Sequence, residues 1–197
     1  MKNRLDQQVD FIREIDKEKF IERQTFLTDG KRHENDAEHA WHLAMMAFLL
    51  EEYANEEIDV LKTMKMVLIH DLVEIDAGDT FAYDYEGQKD QAQREYKAAK
   101  RLFSLLPEDQ GKMMMDLWQE FEAYQSPEAC FAHSLDNFQP VLLNDASQGK
   151  GWKKWQVSKS DILRRNKKSQ KGSKVLWDYS LEHFIEPNVK KGNIKDE

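Results

Sequence analysis

Cysteine is almost absent from this sequence: Cys130 stands alone among 197 residues. A disulfide within the chain is excluded, and with it the small scaffolds that depend on cross-links; a lone thiol fits a reducing, cytoplasmic setting. Proline and glycine are scarce as well, at four and eight residues. Little therefore interrupts helices, and no hairpin signal appears. No apolar run approaches the length of a membrane span. The start, Met1-Lys2-Asn3-Arg4-Leu5-Asp6, leads into a charged amphipathic pattern with no apolar leader.

What the chain does contain suits one domain over 1–197. Hydrophobic residues make up 40% and charged residues 34%, enough for a core beneath a solvated surface. The net charge of −8 is unevenly spread. Lys150 to Lys174 holds ten Lys and Arg against one acid, Asp161, a window of +9 that leaves −17 for the remainder. The plain reading is a solvated, mobile connector. The sharper reading is a basic flap that draws an anionic substrate to a site. The acidic remainder argues against a nucleic-acid surface.

Apolar periodicity predicts an all-α fold. Leu5, Val9, Ile12, Ile15 and Phe20 give a first helix over 3–22. A turn at Asp29-Gly30 follows, and then a helix capped by Asn35 or Asp36 and running to about Ala54. A third helix spans 58–76 and stops at Gly78. Further helices are predicted over 88–106, 107–124, from Ser126-Pro127 onward with a disturbance at Pro140, after Ser158, and over 173–185. The segment 149–157, with Trp152 and Trp155, reads as a loop whose tryptophans are packing anchors or base-stacking residues. Met113, Met114 and Met115 read as core filler.

Within this pattern four residues stand out: His39, His70, Asp71 and Asp136 each lie inside an apolar helical segment. Ionisable groups in such places are costly unless paired or coordinated. Imidazole and carboxylate donors together suit one divalent ion, Mn, Fe, Co, Zn or Ni, and Mg less well. His70 and Asp71 point about 100° apart on a helix, so one ion must sit between helices, with His39 and Asp136 closing it from the others. His133, one turn before Asp136, is a competing ligand. His42, one turn after His39, reads as a pocket-wall or ligand-orienting residue that meets the substrate. This metal-binding core covers about 35–145, with C-terminal helices and the basic loop over 149–197.

A His-Asp dipeptide alone means little. The ordered set is more specific: Glu38-His39, then His70-Asp71-x-x-Glu74-x-x-x-Gly78-Asp79, then Leu135-Asp136. It resembles the HD-domain metal-dependent phosphohydrolases, and within them the branch of bacterial 5′-deoxynucleotidases, over about Leu5 to Leu143. The resemblance implies a single all-helical HD domain holding one divalent metal through His39, His70, Asp71 and Asp136. It implies hydrolysis of a phosphate monoester, with Glu74 handling the proton of the attacking water or of the leaving oxygen. It places Asp79 at the sugar or in proton transfer, and Arg23 at the phosphate. In some relatives a Trp follows that Arg; here Gln24 stands in its place. Relatives also suggest a homodimer.

Three other functions compete with a nucleoside 5′-monophosphate phosphatase. One is a pyrophosphohydrolase of an alarmone or a nucleoside triphosphate; such alarmone enzymes usually follow the Glu with a second acid, where Ile75 stands here. Another is a non-catalytic module that the metal merely holds together. The last is nucleic-acid binding through 150–174.

Overall fold

The computed structural model describes residues 2–197; Met1, the first residue of the charged N-terminal segment, lies outside them. The first helix, α1 (Arg4–Ile15), starts at a capping box in which Asn3 and Asp6 exchange side-chain and backbone bonds. It is shorter than its periodicity predicts. Leu5 and Ile12 face solvent while Phe11 packs inward, so the apolar spacing overstated the buried face. A 3-10 turn over Asp16–Phe20 ends it.

A small antiparallel hairpin follows, β1 (Glu22–Phe26) with β2 (His33–Asn35), which corrects the expectation of no hairpin. β1 has one fully inward residue, Phe26, and no alternation to read. Its connection is a six-residue loop, with Gly30 at φ +67° and the Leu27 amide donating to the Arg32 carbonyl at 3.0 Å. Only glycine adopts such a backbone without strain.

Asn35 caps α2 (Asp36–Leu49), with Glu38 completing the box. Next come α3 (Val60–Ile69), a 3-10 turn over His70–Val73, and α4 (Glu74–Ala77). The expected single helix over 58–76 is thus broken at His70. The apolar pattern runs on through the break, because Leu72 and Val73 remain buried on the far side of it. Gly78 ends α4 at φ +76°, ψ 147°.

The sequence then forms α5 (Gln91–Phe103), α6 (Glu108–Ala123) and α7 (Pro127–Ala146). Ser126 caps α7, Pro127 opens it, and Pro140 sits inside it. The expected loop over 149–157 holds a helix instead, α8 (Lys150–Trp155), and the helix expected after Ser158 is α9 (Lys159–Arg165). Trp152, fully buried, anchors α8. α10 (Lys174–Tyr179), a π turn over Ser180–Ile185 and α11 (Glu186–Lys190) complete the chain.

Three apolar clusters hold these elements. Leu43, Met66, Phe131 and Leu135 join α2, α3 and α7. Phe11, Leu72, Phe103 and Trp118 join α1, α5 and α6 to the broken helix. Val141, Trp152, Ile162 and Ile185 fasten the C-terminal helices to α7. Met114 and Met115 are partly buried beside the second cluster, and Met113 is exposed. Among the described residues no helix is long and apolar enough to cross a membrane.

Candidate metal centre

The junction of α2, the break between α3 and α4, and α7 gathers the ionisable residues that the sequence singles out. His39 comes from α2, His70 and Asp71 from the break, and Asp136 from α7. His39, His70 and Asp136 each offer a donor atom within 4.8 Å of the others. His39 Nε2 lies 3.1 Å from Asp136 Oδ1, and His70 Nε2 lies 3.8 Å from the same oxygen. Asp71 stands at the edge of this group, its Oδ2 3.1 Å from His70 Nε2 and 3.9 Å from His39 Nε2.

The donor chemistry fits a divalent cation. His70 Nδ1 donates to the Val67 carbonyl at 2.9 Å, which puts the ring proton there and leaves the Nε2 lone pair facing the cluster. That Nε2 is buried without a hydrogen-bond partner, as expected of an atom kept for a metal. His39 turns its Nδ1 toward Glu34 Oε2 at 3.6 Å, and Glu34 accepts from Gln139 Nε2 at 2.5 Å. The spacing of Nδ1 from Oε2 is longer than a hydrogen bond and both atoms lack partners, so Glu34 acts on His39 as a nearby charge.

A second acidic group adjoins the first, with Asp36, Asp71 and Glu74 oxygens again within 4.8 Å. Arg23, from β1, sits among them. Its Nη1 donates to Asp71 Oδ2 at 2.7 Å and to Asp36 Oδ1 at 3.1 Å. Burial, the Asp71 charge and the Asp36 charge push the Glu74 carboxyl well above its ordinary value. Burial also lifts Asp79, and lifts Asp36 to about 7 with help from the Asp71 charge. Burial works against a charged Asp136, but its hydrogen bond with His39 and the nearby His70 ring hold it well below the carboxylate range.

These groups form one wall of a cavity of about 270 Å³. His70, Asp71, Glu74, Asp79, Asp136 and Arg23 all line it, so the structure brings together every predicted site residue except two. His39 lies behind the lining, fully buried. His42 is the correction: it does not line the cavity, and its Nδ1 sits 3.3 Å from Gln139 Nε2. His133 lines the cavity but stands outside the ligand cluster, donating from Nε2 to the Phe121 carbonyl at 2.9 Å; burial lowers its pKa to about 4.

Sequence reasoning missed Glu34, Asp36 and Arg165. The two acids lie in a polar segment that reads as loop and cap, where a carboxylate is ordinary; the available signal was their place just before an apolar helix carrying His39. Trp152 and Trp155 both line the cavity, Trp152 as a buried member of the third cluster and Trp155 4.9 Å from the Phe81 ring.

Comparison with known proteins agrees with this geometry. A helical domain with histidine and aspartate donors between its helices is the class defined so far. Residues 15–177 match the family model described as the HD domain, and the chain belongs to that family. The human 5′-deoxynucleotidase HDDC2 is 30% identical over 112 residues, 57% of this chain and 53% of that protein. Its namesake from Dictyostelium discoideum is 30% identical over 140 residues, 68% of this chain and 74% of that one. The chain thus spans about half the length of the first curated relatives it matches. A crystal structure described as a predicted metal-dependent phosphohydrolase, from Magnetospirillum magnetotacticum MS-1, shares 47% identity at a TM-score of 0.92. It covers 97% of this chain and 95% of that one.

Proposed function

We propose that this chain is a metal-dependent phosphohydrolase that releases orthophosphate from nucleoside 5′-monophosphates, deoxynucleotides among them. The observation that carries this reading is the convergence of His39, His70, Asp71 and Asp136 on the floor of a cavity that also exposes Glu74, Asp79 and Arg23. The relatives' names, 5′-deoxynucleotidase and metal-dependent phosphohydrolase, support it.

His39, His70, Asp71 and Asp136 would hold one divalent ion. When bound, such an ion supplies a Lewis acid for the phosphoryl group and makes water more acidic. Glu74, one turn beyond His70 and short of partners at Oε2, handles the proton of the attacking water or of the leaving 5′ oxygen. Water oxygen bonds to phosphorus, the bond from phosphorus to the 5′ oxygen breaks, and a proton returns to that oxygen. Asp79, beside the strained Gly78, faces the sugar end of the cavity. Arg23 holds Asp36 and Asp71 in place and lends positive charge to the phosphate side. His42 acts through Gln139 and Glu34 on the orientation of His39 rather than on substrate.

Two finer readings go with this one. Trp41, Met45, Phe48 and Leu49 form an exposed apolar stripe on α2, which supports a homodimer through that face, checked by sedimentation. The single thiol, Cys130, is free, which supports a cytoplasmic setting. The function itself is tested by stripping the protein with chelator, restoring Mn, Co, Fe, Zn, Ni or Mg singly, and assaying ribo- and deoxynucleotides. Orthophosphate from monophosphates is expected. Pyrophosphate from triphosphates would move the chain to the pyrophosphohydrolase reading.

A further inference from the structure

The cavity has two permanent cations among its described lining residues, Arg23 and Arg165, and they are placed very differently. Arg23 is enclosed by acids. Its Nη1 serves Asp71 and Asp36, and its Nε lies 3.8 Å from Glu34 Oε2. Its charge is largely offset before any substrate arrives. Arg165 is the last residue of α9 and reaches the cavity from the opposite, C-terminal side. Among the described residues its one acidic neighbour within 4 Å is Asp136, with Nη2 3.6 Å from Oδ2. That is beyond hydrogen-bond length, so a five-donor fork faces the cavity without a committed acceptor.

The position of Arg165 is built rather than accidental. Ser158 and Asp161 form the capping box that starts α9. Ile162, fully buried, pins the helix to the third cluster. Asn166, next in sequence and also buried, donates to the Ile162 carbonyl at 2.9 Å. The adjacent Arg164 points elsewhere, donating to Asp161 at 2.6 Å and stacking over the Tyr85 ring. The fork beside Asp136 carries the paired donors by which guanidinium recognises phosphate with two parallel bonds.

We propose that Arg165 is a substrate-binding residue, the guanidinium that grips the phosphate of the nucleotide from the side opposite Arg23. It gives a role to the basic window, whose one cavity-lining cation is Arg165. The inference rests on the phosphatase reading above.

The test uses the full chain loaded with Mn, comparing wild type with Arg165→Met, Arg165→Lys and, as the neighbouring control, Arg164→Met. Three quantities are read: metal content per chain, inorganic phosphate affinity by calorimetry, and KM against kcat for a deoxynucleoside 5′-monophosphate. Loss of a charge-assisted bond predicts that Arg165→Met weakens phosphate binding and raises KM about 10- to 100-fold. Metal content should be unchanged, Arg165→Lys should recover part of the loss, and Arg164→Met should stay within about twofold. Phosphate affinity equal in Arg165→Met and Arg164→Met would overturn the proposal alone. A fall in bound metal with unchanged phosphate affinity at the loaded sites would also overturn it, since Arg165 would then serve Asp136. No turnover by wild type with any metal would remove the phosphatase reading and this inference with it.

Discussion

Glu74 and Asp136 carry opposite perturbations within one small volume. The hydrogen bond with His39 and the neighbouring His70 ring keep Asp136 ionised, while burial and the Asp71 charge favour a protonated Glu74. A ligand must be charged, and a proton-transfer group must be able to exchange, so the same cluster sorts its carboxylates by role. Glu74→Gln is predicted to lower kcat by about 10²- to 10⁴-fold with metal content retained, measured by steady-state kinetics and elemental analysis. Loss of metal in that variant would make Glu74 a ligand instead.

At the same scale, His133 gives a pH dependence with a definite sign. Its folded pKa of about 4 lies below the ordinary 6.5 because burial disfavours the charged ring. The unfolded chain therefore takes up a proton before the folded one does, and stability is lost as pH falls from about 6.5 toward 4. The loss is on the order of 3 kcal/mol. Urea titrations across that range should show a shallower decline for His133→Gln than for wild type.

At the scale of elements, the 3-10 turn at His70–Val73 carries both His70 and Asp71 to the cluster, with Asp71 Oδ2 3.1 Å from His70 Nε2. The short helix after the break, α4, is ended by Gly78, at φ +76° and ψ 147°, a backbone region open to glycine almost alone. A Cβ there would meet no atom within 4 Å, so Gly78→Ala tests conformation without a clash. It should cost about 1–3 kcal/mol by thermal or urea unfolding, and should displace Asp79 enough to raise KM.

Elements also show where sequence patterns end. The helices were legible because buried residues recur at 3.6-residue spacing, and the caps at Asn35, Ser126 and Ser158 were legible from side chains that accept backbone protons. The break was not, since its apolar residues stay buried on both sides. The hairpin was not, since β1 has a single inward apolar residue. α8 was not, because three exposed lysines and Trp155 mask the buried Gly151 and Trp152 that hold it. His39, His70, Asp71 and Asp136 were legible as charges inside apolar helices; Glu34, Asp36 and Arg165 sit in polar stretches, where only the fold reveals that the two acids are buried and that Arg165 lines the cavity.

For the whole molecule, the site concentrates negative charge. Glu34, Asp36, Asp71, Glu74, Asp79 and Asp136 surround one enclosed Arg23, inside a chain of net charge −8. A divalent ion relieves that repulsion in the folded state alone, so binding must stabilise the fold. At 100 times its Kd the ion contributes about 2.7 kcal/mol, a rise in Tm of roughly 5–10 °C for a domain of this size. Calorimetry with and without Mn reads this directly, and an unchanged Tm would deny the ion its place among these residues.

The central claim is a single metal centre that hydrolyses phosphate monoesters. The most direct measurement is orthophosphate release from a deoxynucleoside 5′-monophosphate by chelated protein, by the same protein reloaded with Mn, and by reloaded Asp136→Ala. The account predicts turnover in the reloaded wild type, none after chelation, and a drop of about 1,000-fold or more in the variant. Equal rates in all three samples would contradict it.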